Sequence, residues 1–537
     1  MVTDDYYTAF RRPAYAMFDT GISSSIMGIY DPMNFVVSIA PEVATMLATK
    51  EGRYAYLMGS SDPHANAYAS YFHEVIHWWQ HIGTTLGFLT GLCVPLQAHT
   101  NLTELKELIQ TKYGLVKPLR DKVSSGPSDI NTVVNNWMDM EFSYALLNYP
   151  RWMHSRIRRE PFFESHGHGL SILFGSAIEN LAHLFDPTYK SLPCPDIWYD
   201  KFKQLKEKRE LMFFSDSPTQ LPPFGMHAIT EAQARFQEIQ WRYLAAETKP
   251  TWDDFKEEGL LGADYTEAFE AFLTITESDY PKDPLSNIVN MFHLICDVAL
   301  NSSPGYPNDI VDYSRFIDNV SPGVRFIQAA NVVRRNPNLL SLLECPDKES
   351  YKLVTNAICG ILGWDTPYRV ASCVLETAER MPGLKEFQRE IANWEYKHGN
   401  MPLRYIYGRH ISLMRDKALF PEYFCWPAIH FSSFGSLELH DAFTLFEKHM
   451  PPFVVHSIPG TVKSNMPDCS DPKKQNDIVC SYFVLQVIYD IVRQWIVRRG
   501  GFVFNYSWWD SIEKTELAYI LPQFELIFGC ELDAIKA

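Results

Sequence analysis

Long apolar runs, paired cysteine spacings and an excess of positive charge are all missing from this chain. The longest apolar stretches, around residues 86–96 and 482–497, are interrupted by polar residues, and neither reaches the ~18–20 residues of a membrane span. No C-x-x-C pair occurs among the 10 cysteines, and the nearest two, Cys469 and Cys480, do not have a zinc-site spacing. Free, buried thiols in a reducing compartment are therefore expected. Lys plus Arg number 48 against 64 Asp plus Glu, a formal net charge of -16. That disfavours a nucleic-acid partner, because neutralising phosphates needs clustered cations. The one dense basic run, from 151 to 159, is followed at once by Glu160 and reads as a solvated face. The opening residues, MVTDDYYTAFRRPAY, are acidic where a signal peptide is basic, and no apolar region follows them. The expectation is a cytoplasmic protein with neither a membrane nor a nucleic-acid partner. G-x-S-x-G, P-loop and G-x-G-x-x-G motifs are absent too, so a serine hydrolase, an NTPase and a dinucleotide enzyme lack support.

What is present is a large apolar fraction. Of 537 residues, 46% are apolar and 14% aromatic, enough for an extensive packed core. Residues 34–40 (NFVVSIA) form the best early strand candidate, and helical patterns dominate afterwards. Breaks rich in Pro and Ser fall at 124–128, 216–223, 301–308 and 458–474. A boundary within 255–285 divides the chain into 1–270 and a helical 271–537. Near the end, 479–499 is amphipathic and stops at two arginines and two glycines, the pattern of a core-packing helix.

Chemistry is concentrated at residues 71–82, YFHEVIHWWQHI. Asp62 suits the cap of a helix here, Pro63 its first turn and Gly83 its end. Tyr68, Phe72, Val75, Ile76 and Trp79 give the helix apolar surface on most sides. His73 and His77 are four apart, slightly more than one turn, so both imidazoles leave the same face. Two nitrogens so placed can bind one Zn2+, and Glu74 beside them can take a proton from a water whose pKa the metal lowers. That is the physical content of H-E-x-x-H. The competing bland reading is a pair of core histidines beside a surface glutamate.

The third ligand does not follow directly. The extension H-E-x-x-H-x-x-G-x-x-H fails, because Gln80 and Gly83 occupy its last two positions. His81 lies on nearly the same face but too far along the axis to share the ion, and reads as a supporting or core residue. A carboxylate from a later helix remains. Glu179 sits inside GSAIENLAHLFD, an almost wholly apolar segment where a carboxylate needs a partner. Glu231 sits in FGMHAITEAQARFQEI, where Ala228, Ala232 and Ala234 keep the helix thin. Glu238, two turns on, is placed to accept a hydrogen bond from a metal-binding histidine.

HEVIHWWQ, then Gly225, Ile229, Glu231, Ala234 and Glu238, then ESDYP and CDVALNSSPG, resemble poorly characterised prokaryotic H-E-x-x-H proteins with a gluzincin-like site. The resemblance spans roughly residues 65–310 and favours Glu231 over Glu179. It implies a zinc peptidase fold; the chain as a whole reads as mainly α (α+β), with a zincin-like metallopeptidase core in 1–270 and a helical C-terminal domain in 271–537. The activity expected from the H-E-x-x-H residues is that of a zinc metallopeptidase, hydrolysing peptide bonds with a metal-activated water and Glu74 as general base. The expected partners are a protein or peptide substrate and a regulatory protein.

Weaker constellations remain. Glu164, His166 and His168 are grouped in a segment that reads as an ordinary turn. Glu395-x-x-His398 repeats the E-x-x-H of Glu74 and His77, the fingerprint of a di-iron helical bundle, but its surroundings are polar. Residues 404–410, RYIYGRH, offer hydrogen-bond donors to an oxyanion, with an amphipathic surface stretch as the preferred reading. The rivals to a peptidase are thus a helical interaction protein with a structural or degenerate metal site, and a di-iron carboxylate protein.

Overall fold

The computed structural model describes residues 28–32, 34–47, 63–124, 126, 128–157, 160–207, 221–396, 401–431, 437, 439–457, 461–465, 469, 471–504 and 514–537. The fold is mainly helical, with one small sheet. The sheet runs β1 (Gly28–Asp31), β2 (Val36–Ile39), β3 (Phe453–Ser457) and β4 (Thr461–Asn465) in spatial order. β1 and β2 are antiparallel, β2 and β3 parallel, and β3 and β4 antiparallel. The early strand candidate is therefore a strand, and one of its two partners, β3, is more than 400 residues away in the chain. β4 lies inside 458–474, which reads as a break in the sequence. TVKSN alternates too briefly to stand out, and only pairing with β3 makes it a strand.

Among the helices of the described residues are α1 (Pro63–Ile82), α2 (Ser128–Asn148), α3 (His166–Phe185), α4 (Met226–Ala245), α5 (Asn287–Leu300), α6 (Met401–Leu419) and α7 (Pro472–Val497). Two buried apolar clusters fill them. One runs from Tyr30 to Ile535 and the other from Phe224 to Ile429, so each draws on residues from both sides of position 270. None of the helices among the described residues is long and apolar enough to cross a membrane.

α1 is the helix read from the H-E-x-x-H segment. Tyr68, Phe72, Val75, Ile76 and Trp79 are all buried, and the Gly83 amide closes its last turn on the Trp79 carbonyl at 2.7 Å. Asp62, the expected cap, lies outside the described residues. Distant side chains grip the helix. The indole nitrogens of Trp78 and Trp79 both donate to the His449 carbonyl, at 3.1 and 2.9 Å. His410 Nδ1 donates to the Ile82 carbonyl at 2.7 Å, and Lys417 Nζ to the Gly83 carbonyl at 2.9 Å. These last two satisfy carbonyls that a helix end leaves without intrahelical donors. The Lys417 charge is balanced by Asp297 Oδ1 at 2.6 Å, inside the protein.

Residues 404–410 correct the surface reading. They lie in α6, and Arg404, Tyr405, Tyr407, Arg409 and His410 are all buried. Arg404 pairs with buried Glu390, Arg409 donates to the Lys448 and Met450 carbonyls, and His410 clamps α1. The polar residues looked solvated because their partners are remote in sequence.

Candidate metal centre

α4 packs directly against α1. Its first turn begins at Gly225, where a Cβ atom would come within 2.3 Å of the Leu147 carbonyl oxygen. Only glycine allows the start of α4 to approach the end of α2 so closely. Of the three alanines expected to thin the helix, Ala234 joins the core shared with α1, whereas Ala228 and Ala232 pack in the second cluster.

This packing brings Glu231 onto the histidine pair. His73, His77 and Glu231 offer ligand atoms within 4.8 Å of one another. His73 Nε2 and His77 Nε2 are 3.1 Å apart. Glu231 Oε2 lies 3.5 Å from His77 Nε2 and 3.9 Å from His73 Nε2. Bonds of about 2.0–2.1 Å pointing to the corners of a tetrahedron put ligand atoms about 3.3–3.4 Å apart. The three atoms thus outline one slightly open face of such a tetrahedron. The histidine side chains are 7% and 8% exposed and that of Glu231 22%, so the cluster opens to solvent on the Glu231 side.

Each histidine is held from behind. Glu238 Oε2 stands 3.3 Å from His73 Nδ1, a close polar contact rather than a well-aligned hydrogen bond. Arg235 and Arg242 flank that carboxylate, Arg242 Nε at 2.9 Å. His77 Nδ1 faces Gln80 Oε1 at 2.8 Å. Burial and the Arg235 cation lower the His73 pKa to about 4, against the pull of Glu238. Burial acts on His77 in the same direction, but the Glu231 carboxylate, helped by Glu74 and Gln80, outweighs it and raises the group to about 9. Glu231 and Glu238 would both be raised by burial. His77 instead holds Glu231 well below the usual carboxylate range, and Arg235 does the same for Glu238.

Glu74 is buried next to the cluster, on the side of β1. A Cβ atom on Gly28 would stand 2.9 Å from Glu74 Cγ, so that position must stay bare for the carboxylate to keep its place. Burial, opposed by His77 and reinforced by Glu231, pushes the Glu74 carboxyl up to about 7. A carboxylate at that pKa is matched to accepting and returning a proton near neutral pH.

Other candidate residues are placed elsewhere. Glu179 lies on α3, where burial and Asp196 raise its carboxyl and Tyr199 bonds it. His81 Nδ1 donates to the His77 carbonyl at 2.9 Å, and its ring lies 5.0 Å from that of Tyr30. It supports the site without joining the ligand atoms. Asp139, Glu164 and His168 form a second cluster within 4.8 Å. There Ser165 caps α3, and His168 Nδ1 donates to Asp139 Oδ2 at 2.6 Å, too close for two atoms bound to one ion. His398 lies outside the described residues, and Glu395 pairs with Lys474 in an exposed contact.

Besides Arg235, Arg242 and Gly28, the residues near the cluster that were not singled out from sequence include Tyr30, Tyr265 and His227. Tyr30 of β1 stacks with His77 at 6.3 Å. Tyr265 meets the His73 ring edge-on at 6.1 Å and carries the Arg235 guanidinium over its face at 4.1 Å. His227 Nδ1 lies 3.8 Å from Glu231 Oε1, with its ring 4.8 Å from that of Tyr149. The i, i+4 spacing of His227 and Glu231 is a signal the sequence carries; the tyrosines have none. Comparison with protein families, curated proteins and solved structures found no match.

Proposed function

We propose that this chain is a zinc-dependent peptidase with a zincin-like core, in which His73, His77 and Glu231 hold the metal and Glu74 is the general base. The observation that carries the reading is the triangle of 3.1, 3.5 and 3.9 Å between two imidazole nitrogens and one carboxylate oxygen. Two nitrogens and one oxygen are a donor set that suits Zn2+. Three protein ligands on one face, with exposure on the Glu231 side, also favour an open catalytic site over a closed structural one.

When bound, zinc would supply a Lewis acid that polarises a carbonyl and lowers the pKa of water. The chain supplies the rest. Glu74 takes the proton of the attacking water on its carboxylate and returns it to the leaving amine. Gly28 leaves the space in which Glu74 sits. Glu238 and Gln80 keep the two imidazoles turned toward Glu231. Among the described residues β1 is an edge strand, and it starts against Glu74. An extended peptide added to that edge would run past the base, which supports a peptide as substrate.

The test is Glu74→Gln, which keeps the shape and removes proton acceptance. The variant should retain its fold and zinc while hydrolysis falls by ~10²-fold or more, the scale of a lost general base. A proteome-wide search for new N-termini, comparing wild type with the variant, serves as the assay. Cleavage at equal rates by both proteins rules the mechanism out.

A further inference from the structure

Gln80 makes four polar approaches from a buried position, and their directions are constrained. Its amide nitrogen donates to the Thr230 carbonyl at 2.9 Å and reaches Gln233 Oε1 at 3.0 Å. Its amide oxygen lies 2.8 Å from His77 Nδ1, and its backbone carbonyl accepts from the Thr84 hydroxyl at 2.6 Å. A carbonyl oxygen only accepts, so the atom facing Thr230 must be the NH2 group. The oxygen then faces His77, and Nδ1 must carry a hydrogen. That leaves His77 Nε2 as the ring nitrogen that can coordinate a metal, and it is the one aimed at His73 Nε2 and Glu231 Oε2.

We propose that Gln80 is a positioning residue that fixes the His77 tautomer and, through the Thr230 carbonyl, locks the turn of α4 carrying Glu231 to the histidine helix. This rests on the metal-site reading above. One amide thus couples two ligands from segments 150 positions apart in the hydrogen-bonding chain. The two histidines are supported differently: His73 faces a carboxylate flanked by arginines, His77 a neutral amide. A neutral acceptor orients His77 without adding a further negative charge to a pocket that already holds Glu74, Glu231 and Glu238.

The experiment measures zinc affinity by competition with a chelator, and the urea midpoint of metal-free protein, for wild type, Gln80→Met and Gln80→Glu. Methionine keeps the volume and loses both hydrogen-bonding roles. Its affinity should fall by ~10–100-fold, the usual effect of removing a group that orients a metal-binding histidine. Glutamate keeps an acceptor toward His77 Nδ1 and loses the N–H toward Thr230, so its affinity should stay closer to wild type than that of Gln80→Met. Unchanged affinity in Gln80→Met, or loss only of metal-free stability, overturns the proposal and leaves Gln80 as packing. If Gln80→Met does not fold, nitrogen-15 NMR of zinc-loaded wild type decides: Nδ1 protonated and Nε2 coordinated supports the assignment, and the reverse overturns it. Wild type that binds no zinc at all sinks the metal reading itself, a result distinct from any difference among variants.

Discussion

Acid should unfold this protein at an unusually mild pH, for reasons that lie outside the metal site. His166, His293, His410, His430 and His449 are all buried, four of them with no measurable exposure. Burial is the first cause in each, lowering His166, His293 and His410 to about 3 and His430 and His449 to about 4. An unfolded histidine titrates near ~6.5. Between the two values the unfolded chain binds more protons than the folded one. Stability is therefore complete above ~6.5 and is lost as pH falls toward the folded pKa values. Integrating the difference gives just under ~1 kcal/mol per histidine at pH ~6 and about 2 kcal/mol at pH ~5. Five such groups together cost about 4 and then about 10 kcal/mol, against ~5–15 kcal/mol for a whole domain. Urea midpoints of metal-free protein, followed by tryptophan fluorescence, should fall steeply between pH ~6 and ~5. Neither nitrogen of His293 meets a partner among the described residues, so His293→Leu should reduce the slope by about one fifth. A midpoint that is flat from pH ~7 to ~5, or an unchanged slope in His293→Leu, refutes the argument.

Two further outcomes test separate parts of the structure. Glu231→Ala should lose far more zinc than Glu179→Ala, read as metal per chain after dialysis; the opposite ranking moves the third ligand to α3. Lys417→Met removes the cation beside Asp297, leaving that carboxylate only its Asn301 and Tyr351 hydrogen bonds, and frees the Gly83 carbonyl, so unfolding free energy should fall by about 3–5 kcal/mol, with a change under about 1 kcal/mol counting against a buried pair.

The sequence by itself determined the local parts. The spacing of His73 and His77 put two imidazoles on one helical face, because four residues nearly complete a turn. Apolar periodicity foretold the burial of α1 and α7, and residues 34–40 read as a strand because Phe35, Val36, Val37 and Ile39 crowd strand-forming side chains into a short run. Glu231 and Glu238 were readable as candidates from their spacing on one helix. What only the tertiary structure decided is which distant groups meet. Glu231, and not Glu179, lies beside the histidine pair because α4 packs against α1. The clamping of α1 by His410, Lys417 and His449 joins residues more than 300 positions apart. The polar face of 404–410 looked solvated because sequence displays a residue's polarity and not its partner. β4 is a strand only because β3 supplies its hydrogen bonds. Side-chain periodicity records a helix or strand preference at short range, whereas pairing across hundreds of residues is fixed by packing, and packing brings Glu231 to the two histidines.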